Sequence, residues 1–312
     1  MSINRNVNLI KAIQPQVNRN PVSYNFDANL FAIGAGGGGE TSFDGAGAGG
    51  YEAGGGGGGG AVVSASISVV PNITWTVDVG EGGSADTNGE DTLLIAYDGN
   101  YSGQTTLKAQ GGLAGSNSGG GNSGTGSLET TAVTQSYSGF TGGAQNLNVA
   151  GGGAGSTQNG GAGIPYDGNP GTGLGGPGGA GDNIFLGIAG GGGGGITPNN
   201  IDGGLAYNGG GTGGDLTAAP SSFNGNPATN YGGGGGGAAA DDGITGTGGS
   251  GFKGTVIVQF TGVIGTELDQ FDVVTTNASS SYDSLNNRTT IFFETGSGTF
   301  RYTAPFPYVP GN

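Results

Sequence analysis

The chain has no cysteine and no histidine, and only seven of its 312 residues are lysine or arginine. Without cysteine there is no disulfide framework, and without either residue no zinc finger. The lack of histidine also excludes a Ser-His-Asp triad and an imidazole general base. Long apolar runs are missing: no stretch approaches the ~20 residues that cross a bilayer as a helix, so membrane insertion is not expected. Charge is scarce, 9% in all, and 22 acids against seven bases leave a net charge of −15. Between residues 20 and 252 the one base is Lys108, which leaves no basic stripe to neutralise phosphates. A nucleic-acid partner is therefore not expected. These gaps point away from an enzyme and from any cofactor before a motif is read.

What fills the chain is glycine, 80 residues against a usual share of about 7%. The runs reach seven in a row at 54–60, with 12 prolines in the whole chain, so the strict triplet period of collagen is absent. Residues 1–33 hold no glycine, 34–254 hold 75 and 255–312 hold five. Composition thus marks an N-terminal arm over 1–33, a glycine-rich domain over 34–260 and a small C-terminal β unit over 261–312. The arm is rich in asparagine, carries Arg5, Lys11 and Arg19, and is interrupted by Pro15 and Pro21. It suits docking to a partner better than building a core of its own.

Strand signals flank the glycine. A strand signal, Asn29-Leu-Phe-Ala-Ile33, runs straight into the first glycine stretch. Val63, Ala65, Ile67 and Val69 alternate with serines, and after Pro71 and Asn72 a second alternation places Ile73, Trp75, Val77 and Val79 on one face. Period 2 predicts two half-buried strands, and the turn between them predicts a β-hairpin with Trp75 on its apolar face. Further strands are expected at 92–97, 105–109, 254–260, 271–276, 288–294 and 299–304. From 111 to 251 these signals thin out, and glycine runs alternate with inserts rich in Asn, Ser and Thr.

A run of glycine has no side chains with which to build a core. It can form polyproline-II-like helices of three residues per turn, packed so closely that each backbone group bonds to a neighbouring helix. Ordering costs roughly 1–2 kcal/mol per residue, so the arrangement holds only where nearly every N–H and C=O finds a partner. Apolar residues such as Phe31, Trp75 and Phe260 would seal the ends, and the inserts would emerge as loops on a rigid frame. The expected fold is mostly β and irregular, with β-hairpins and a polyglycine-II helix sandwich.

Certain stretches carry a resemblance. They are Leu30-Phe-Ala-Ile-Gly-Ala-Gly-Gly-Gly-Gly39, Val77-Asp-Val-Gly-Glu-Gly-Gly83, Ala109-Gln-Gly-Gly112, Ala150-Gly-Gly-Gly-Ala-Gly155 and Gly248-Gly-Ser-Gly-Phe-Lys-Gly-Thr-Val-Ile-Val258. In this order they resemble the glycine-rich domain of bacteriophage tail-fibre proteins and the distal adhesins of T-even-type phages. The likeness spans residues 30–260. It implies parallel polyglycine-II helices in a sandwich whose loops bind a bacterial surface receptor, a glycan or an outer-membrane protein. It also implies a homotrimer or attachment to a trimeric fibre, with other virion proteins held through the N-terminal arm. Residues 1–5 are not followed by an apolar stretch, so no signal peptide is expected. That fits a virion protein assembled in the host cytoplasm. The alternative is a purely structural virion protein: a head decoration, fibre collar or adaptor.

Aromatics stranded in polar inserts are the candidate receptor contacts: Tyr137, Phe140, Tyr166, Tyr207, Phe223 and Tyr231. Their competing role is to cap the glycine lattice. Asp86, Asn88, Glu90 and Asp91 place oxygen ligands at alternate positions as a hard-cation loop would, but without the spacing of an EF-hand or calcium nonapeptide, and a polar turn explains them equally well; no metal is expected. Asp241 and Asp242 are adjacent acids without the cleft a glycosidase needs.

Overall fold

The computed structural model describes residues 26–45, 50–69, 73–97, 104–116, 119–129, 134–137, 139–143, 150–153, 175–181, 188–195, 203–206, 209–214, 223–241, 244–261 and 272–303. Among them the regular elements are all strands. They are β1 (Phe26–Ile33), β2 (Phe43–Gly45), β3 (Gly50–Glu52), β4 (Val62–Val69), β5 (Thr74–Val79), β6 (Thr92–Tyr97), β7 (Gln104–Ala109), β8 (Gly126–Glu129) and β9 (Thr134–Tyr137). There follow β10 (Ala240–Asp241), β11 (Ile244–Thr245), β12 (Thr255–Thr261), β13 (Asp272–Thr276), β14 (Ala278–Asp283), β15 (Arg288–Phe293) and β16 (Gly296–Thr303).

Two antiparallel sheets face each other. One has the order β14-β15-β12-β1-β4 and the other β13-β16-β5-β6-β7-β8-β9. Alternation supplies the core between them. Ala28, Leu30, Ala32, Val63, Val256, Val258, Ile291 and Phe293 point inward from the first sheet. Trp75, Val77, Leu94, Leu107 and Phe300 meet them from the second. Trp75 has no exposed surface, and its ring lies 4.8 Å from that of its cross-strand partner Phe300. Its full burial makes it the largest single apolar contribution, with truncation to alanine worth about 3–5 kcal/mol.

The hairpin expected from Val63 to Val79 does not form. β4 pairs with β1, whereas β5 pairs with β6 and β16 in the opposite sheet. Alternation specifies which face of a strand is buried, not which strand lies beside it, and here the two apolar faces meet across the sandwich. The strand signal at 29–33 begins earlier, at Phe26. It forms β1, an interior strand between β12 and β4, so the last eight residues assigned to the arm belong to the body. The C-terminal strands also enter the same two sheets, β15 beside β12 and β16 beside β5.

At one pole the strands continue into glycine. β1, β5 and β7 lead outward into residues 34–40, 80–83 and 110–115, and runs 54–61, 87–91, 120–125 and 246–254 return into β4, β6, β8 and β12. Hydrogen bonding defines the geometry of these runs. In 34–40 the N–H groups of Gly34, Gly37 and Glu40 donate to Ala61, Gly58 and Gly55. Those of Ala35 and Gly38 donate to Glu90 and Thr87, and those of Gly36 and Gly39 to Phe252 and Gly249. Every third residue turns to the same neighbour, the signature of a threefold helix. The carbonyls repeat the pattern: Ala35 and Gly38 accept from Gly112 and Gly115, Gly36 and Gly39 from Gly83 and Asp86, Gly37 and Glu40 from Gly235 and Ala238. Run 34–40 is thus surrounded by six others, with N···O distances of 2.8–3.1 Å.

Run 54–61 is enclosed in the same way, bonding to 34–40, 232–238, 110–113, 119–124, 192–195 and Gly151. The neighbours run in both directions: 54–61 is antiparallel to 34–40, and 235–238 is parallel to it. A single chain that doubles back at each turn requires this mixture.

Space, not backbone angle, explains the glycine. Among the described residues only Gly209, Gly232 and Gly296 are glycines with positive φ. A Cβ built on Gly36, Gly57 or Gly58 would instead lie closer than 3.0 Å to the carbonyl of Gly233, Gly37 or Asn122. The inner runs can approach only as bare backbone.

Candidate functional site

The lattice ends, away from the sandwich, in short turns and two small hairpins. β2 pairs with β3 and β10 with β11, and the two hairpins lie against each other. Ser42 staples them: it is buried, and its hydroxyl accepts the Gly246 N–H at 2.7 Å while donating to the Gly246 carbonyl at 3.2 Å. On this fixed base Phe43 is 63% exposed and Ile244 41% exposed. Apolar side chains held outward on a stapled tip are suited to contact another surface.

Beside this tip, the proposed calcium loop resolves into separate ties. The Asp86 carboxylate accepts the backbone N–H of Thr41 at 2.7 Å and its hydroxyl at 2.6 Å. Asn88 Oδ1 accepts the Ala114 N–H at 2.8 Å, and Glu90 accepts the Glu81 N–H at 3.2 Å. Asp91 accepts the Gly111 N–H at 3.1 Å and pairs with Lys108 at 2.9 Å. The four side chains diverge: Asp86 ties to Thr41, Glu90 to run 80–83, and Asn88 and Asp91 to separate places on run 110–115. Among the described residues no group of three or more Asp or Glu side chains is gathered as a metal site, and no helix is long and apolar enough to cross a membrane.

The aromatic candidates are scattered. Tyr166 and Tyr207 lie outside the described residues, as does Asp242. Tyr137 ends β9, opposite Gly126, and Asp241 pairs with Ile244. Phe140 is half-buried against run 119–125: its N–H donates to the Ser123 hydroxyl at 2.7 Å and its carbonyl accepts the Ser123 N–H at 3.0 Å. Phe223 is buried, with its carbonyl accepting the Ala239 N–H.

Tyr231 packs at the sandwich end, over the outer face of the five-stranded sheet, in the cluster of Ile33, Ile188 and Ile257. Its ring meets Phe252 edge-on at 5.7 Å, and its hydroxyl donates to the Glu294 carboxylate. Burial, then that hydrogen bond and the carboxylate's charge, push its pKa up to about 12. Phe223 and Tyr231 therefore seal the lattice. Phe43 and Ile244 escaped sequence reasoning because neither sits in a long insert or an alternating run. Their one signal was a lone apolar residue beside a turn.

A family model described as a glycine-rich domain matches residues 21–261. That span is well over half of the 312 residues, and the chain belongs to this glycine-rich domain family. Among curated proteins no sequence matches the chain.

Proposed function

We propose that the protein is a bacteriophage virion component, a tail-fibre or adhesin protein, that binds the host cell surface through loops on its polyglycine scaffold and is not an enzyme. The observation that carries this reading is the opposition of two poles. The described chain enters at Phe26 and leaves at Thr303, both at the end of the sandwich remote from the glycine lattice. The lattice tips, with exposed Phe43 and Ile244, lie at the other end. One pole suits attachment to other virion proteins, through residues 1–25 and as part of or bound to a trimeric fibre. The opposite pole suits a bacterial glycan or outer-membrane protein.

The test uses the purified full chain and bacteria that the phage infects. Saturable binding to the cells, competition with infection, and loss of both on Phe43→Ser with Ile244→Ser at unchanged folding are the expected results. Absence of binding and competition would overturn the reading. It would leave the purely structural virion role, which the burial of Phe223 and the packing of Tyr231 favour.

A further inference from the structure

β14 is the outer strand of the five-stranded sheet. Ala278 packs against the core, but the next five residues, from Ser279 to Asp283, are exposed on both faces. Its outward edge presents alternate N–H and C=O groups, and among the described residues no strand lies beside them. Exposed edges are commonly blunted by lysine, proline or a bulge; residues 278–282 contain neither lysine nor proline, and their register with β15 is unbroken. The turn that follows the strand is fixed by side chains at its end. Asp283 accepts the Leu285 N–H at 2.9 Å and the Asn286 side-chain amide at 2.6 Å. Tyr282 donates its hydroxyl to Asn287 at 2.9 Å. The turn so fixed carries Leu285, 94% exposed, next to Tyr282, 44% exposed.

We infer that the β14 edge is an interface for a second copy of this chain, pairing β14 with β14 across a twofold axis and joining the two five-stranded sheets. The partner follows from charge and register. On a molecule of net charge −15, residues 278–282 are uncharged, and the flanking Asp283 faces Arg288 across its own hairpin. Antiparallel self-pairing centred on Ser280 sets Ser279 opposite Ser281, Ala278 opposite Tyr282, and Asn277 opposite Asp283. No like charges meet, and a ring lies across from a small residue, the favourable arrangement for cross-strand neighbours. The same register carries the Leu285 turn past Asn277 of the other copy, where the chain bends from β14 into β13. Such a contact is isologous and closes at two. It turns the two glycine lattices in opposite directions, so this dimer is distinct from a threefold fibre.

Sedimentation velocity of the full chain across a wide concentration range tests the inference without host cells. A dimer is expected for the native chain. Ser280→Lys and Ser280→Glu each set like charges together on the axis, and each should weaken dimerisation at least about tenfold. An equimolar mixture of the two variants should dimerise again. A native chain that stays monomeric, sediments as a trimer, or forms dimers that neither variant weakens would overturn the proposal. Unchanged thermal unfolding of the variants separates loss of pairing from loss of fold. Because the readout is mass, its failure leaves the host-binding reading standing, and the reverse.

Discussion

A single methyl group tests the lattice. Gly58 donates to Leu113 and accepts from Gly37, and a Cβ there would run into the carbonyl of Asn122. No flexible side chain is available to yield, so Gly58→Ala should cost at least about 3 kcal/mol. At Gly119 the nearest atom to a Cβ is the Ser116 carbonyl oxygen at 3.2 Å, and Gly119→Ala should cost under ~1 kcal/mol. Thermal or denaturant unfolding of the pair measures the contrast; equal effects would contradict close packing as the reason for glycine. Tyr231 gives a second residue-level test. Its pKa stands at about 12 in the fold against an ordinary 10.0. Between these values the unfolded chain has released a proton that the folded chain keeps, so stability must fall as pH rises through that window. Tyr231→Phe should flatten that fall, and below pH ~9 should cost about 1 kcal/mol for the lost bond to Glu294. Stability measured from pH 8 to 12 on both proteins decides it.

At the scale of elements, the inner glycine runs should behave as rigid structure although they are neither strands nor α-helices. Gly37, Gly57 and Gly58 each donate an N–H to a neighbouring run, and their amides should exchange with solvent as slowly as those of β1 and β12. Hydrogen exchange resolved by residue checks this, and rapid exchange at those three positions would contradict the lattice. The runs were legible as polyglycine-II helices because no other ordered state suits so much bare backbone. Their neighbours were not, since a glycine carries no mark of what it faces. The strands show the same division. β4, β5 and β7 announce themselves by apolar residues at every second place and β6 by an unbroken apolar run, but the sheet to which each belongs depends on contacts far along the chain. β14, with the sequence Ala-Ser-Ser-Ser-Tyr-Asp, was not readable because a strand exposed on both faces has no pattern to display. Among the site candidates, Phe223 and Tyr231 stood out by type and context, and both proved to be seals. Exposure at Phe43 comes from the staple beneath it, which joins residues more than 200 positions apart.

Considered whole, the molecule separates a part that cannot change length from a part that can. One residue added between Gly57 and Gly58 would rotate everything beyond it by about a third of a turn, pointing each donor at the wrong neighbour. That insertion should abolish folding, whereas the same insertion between Ser116 and Gly119 should shift Tm by only a few degrees. Circular dichroism melts of the two proteins test the distinction. The lattice bonding also bears on chemical ageing. Asparagine followed by glycine deamidates when the glycine nitrogen attacks the side-chain amide through a succinimide. In Asn88-Gly89 the glycine N–H is held by the Gly112 carbonyl and the asparagine oxygen by the Ala114 N–H. In Asn224-Gly225 both are held by the backbone of Thr247. Ring closure at either pair requires breaking both ties, so the bonds that order the bare backbone also protect these two perishable dipeptides as the protein ages.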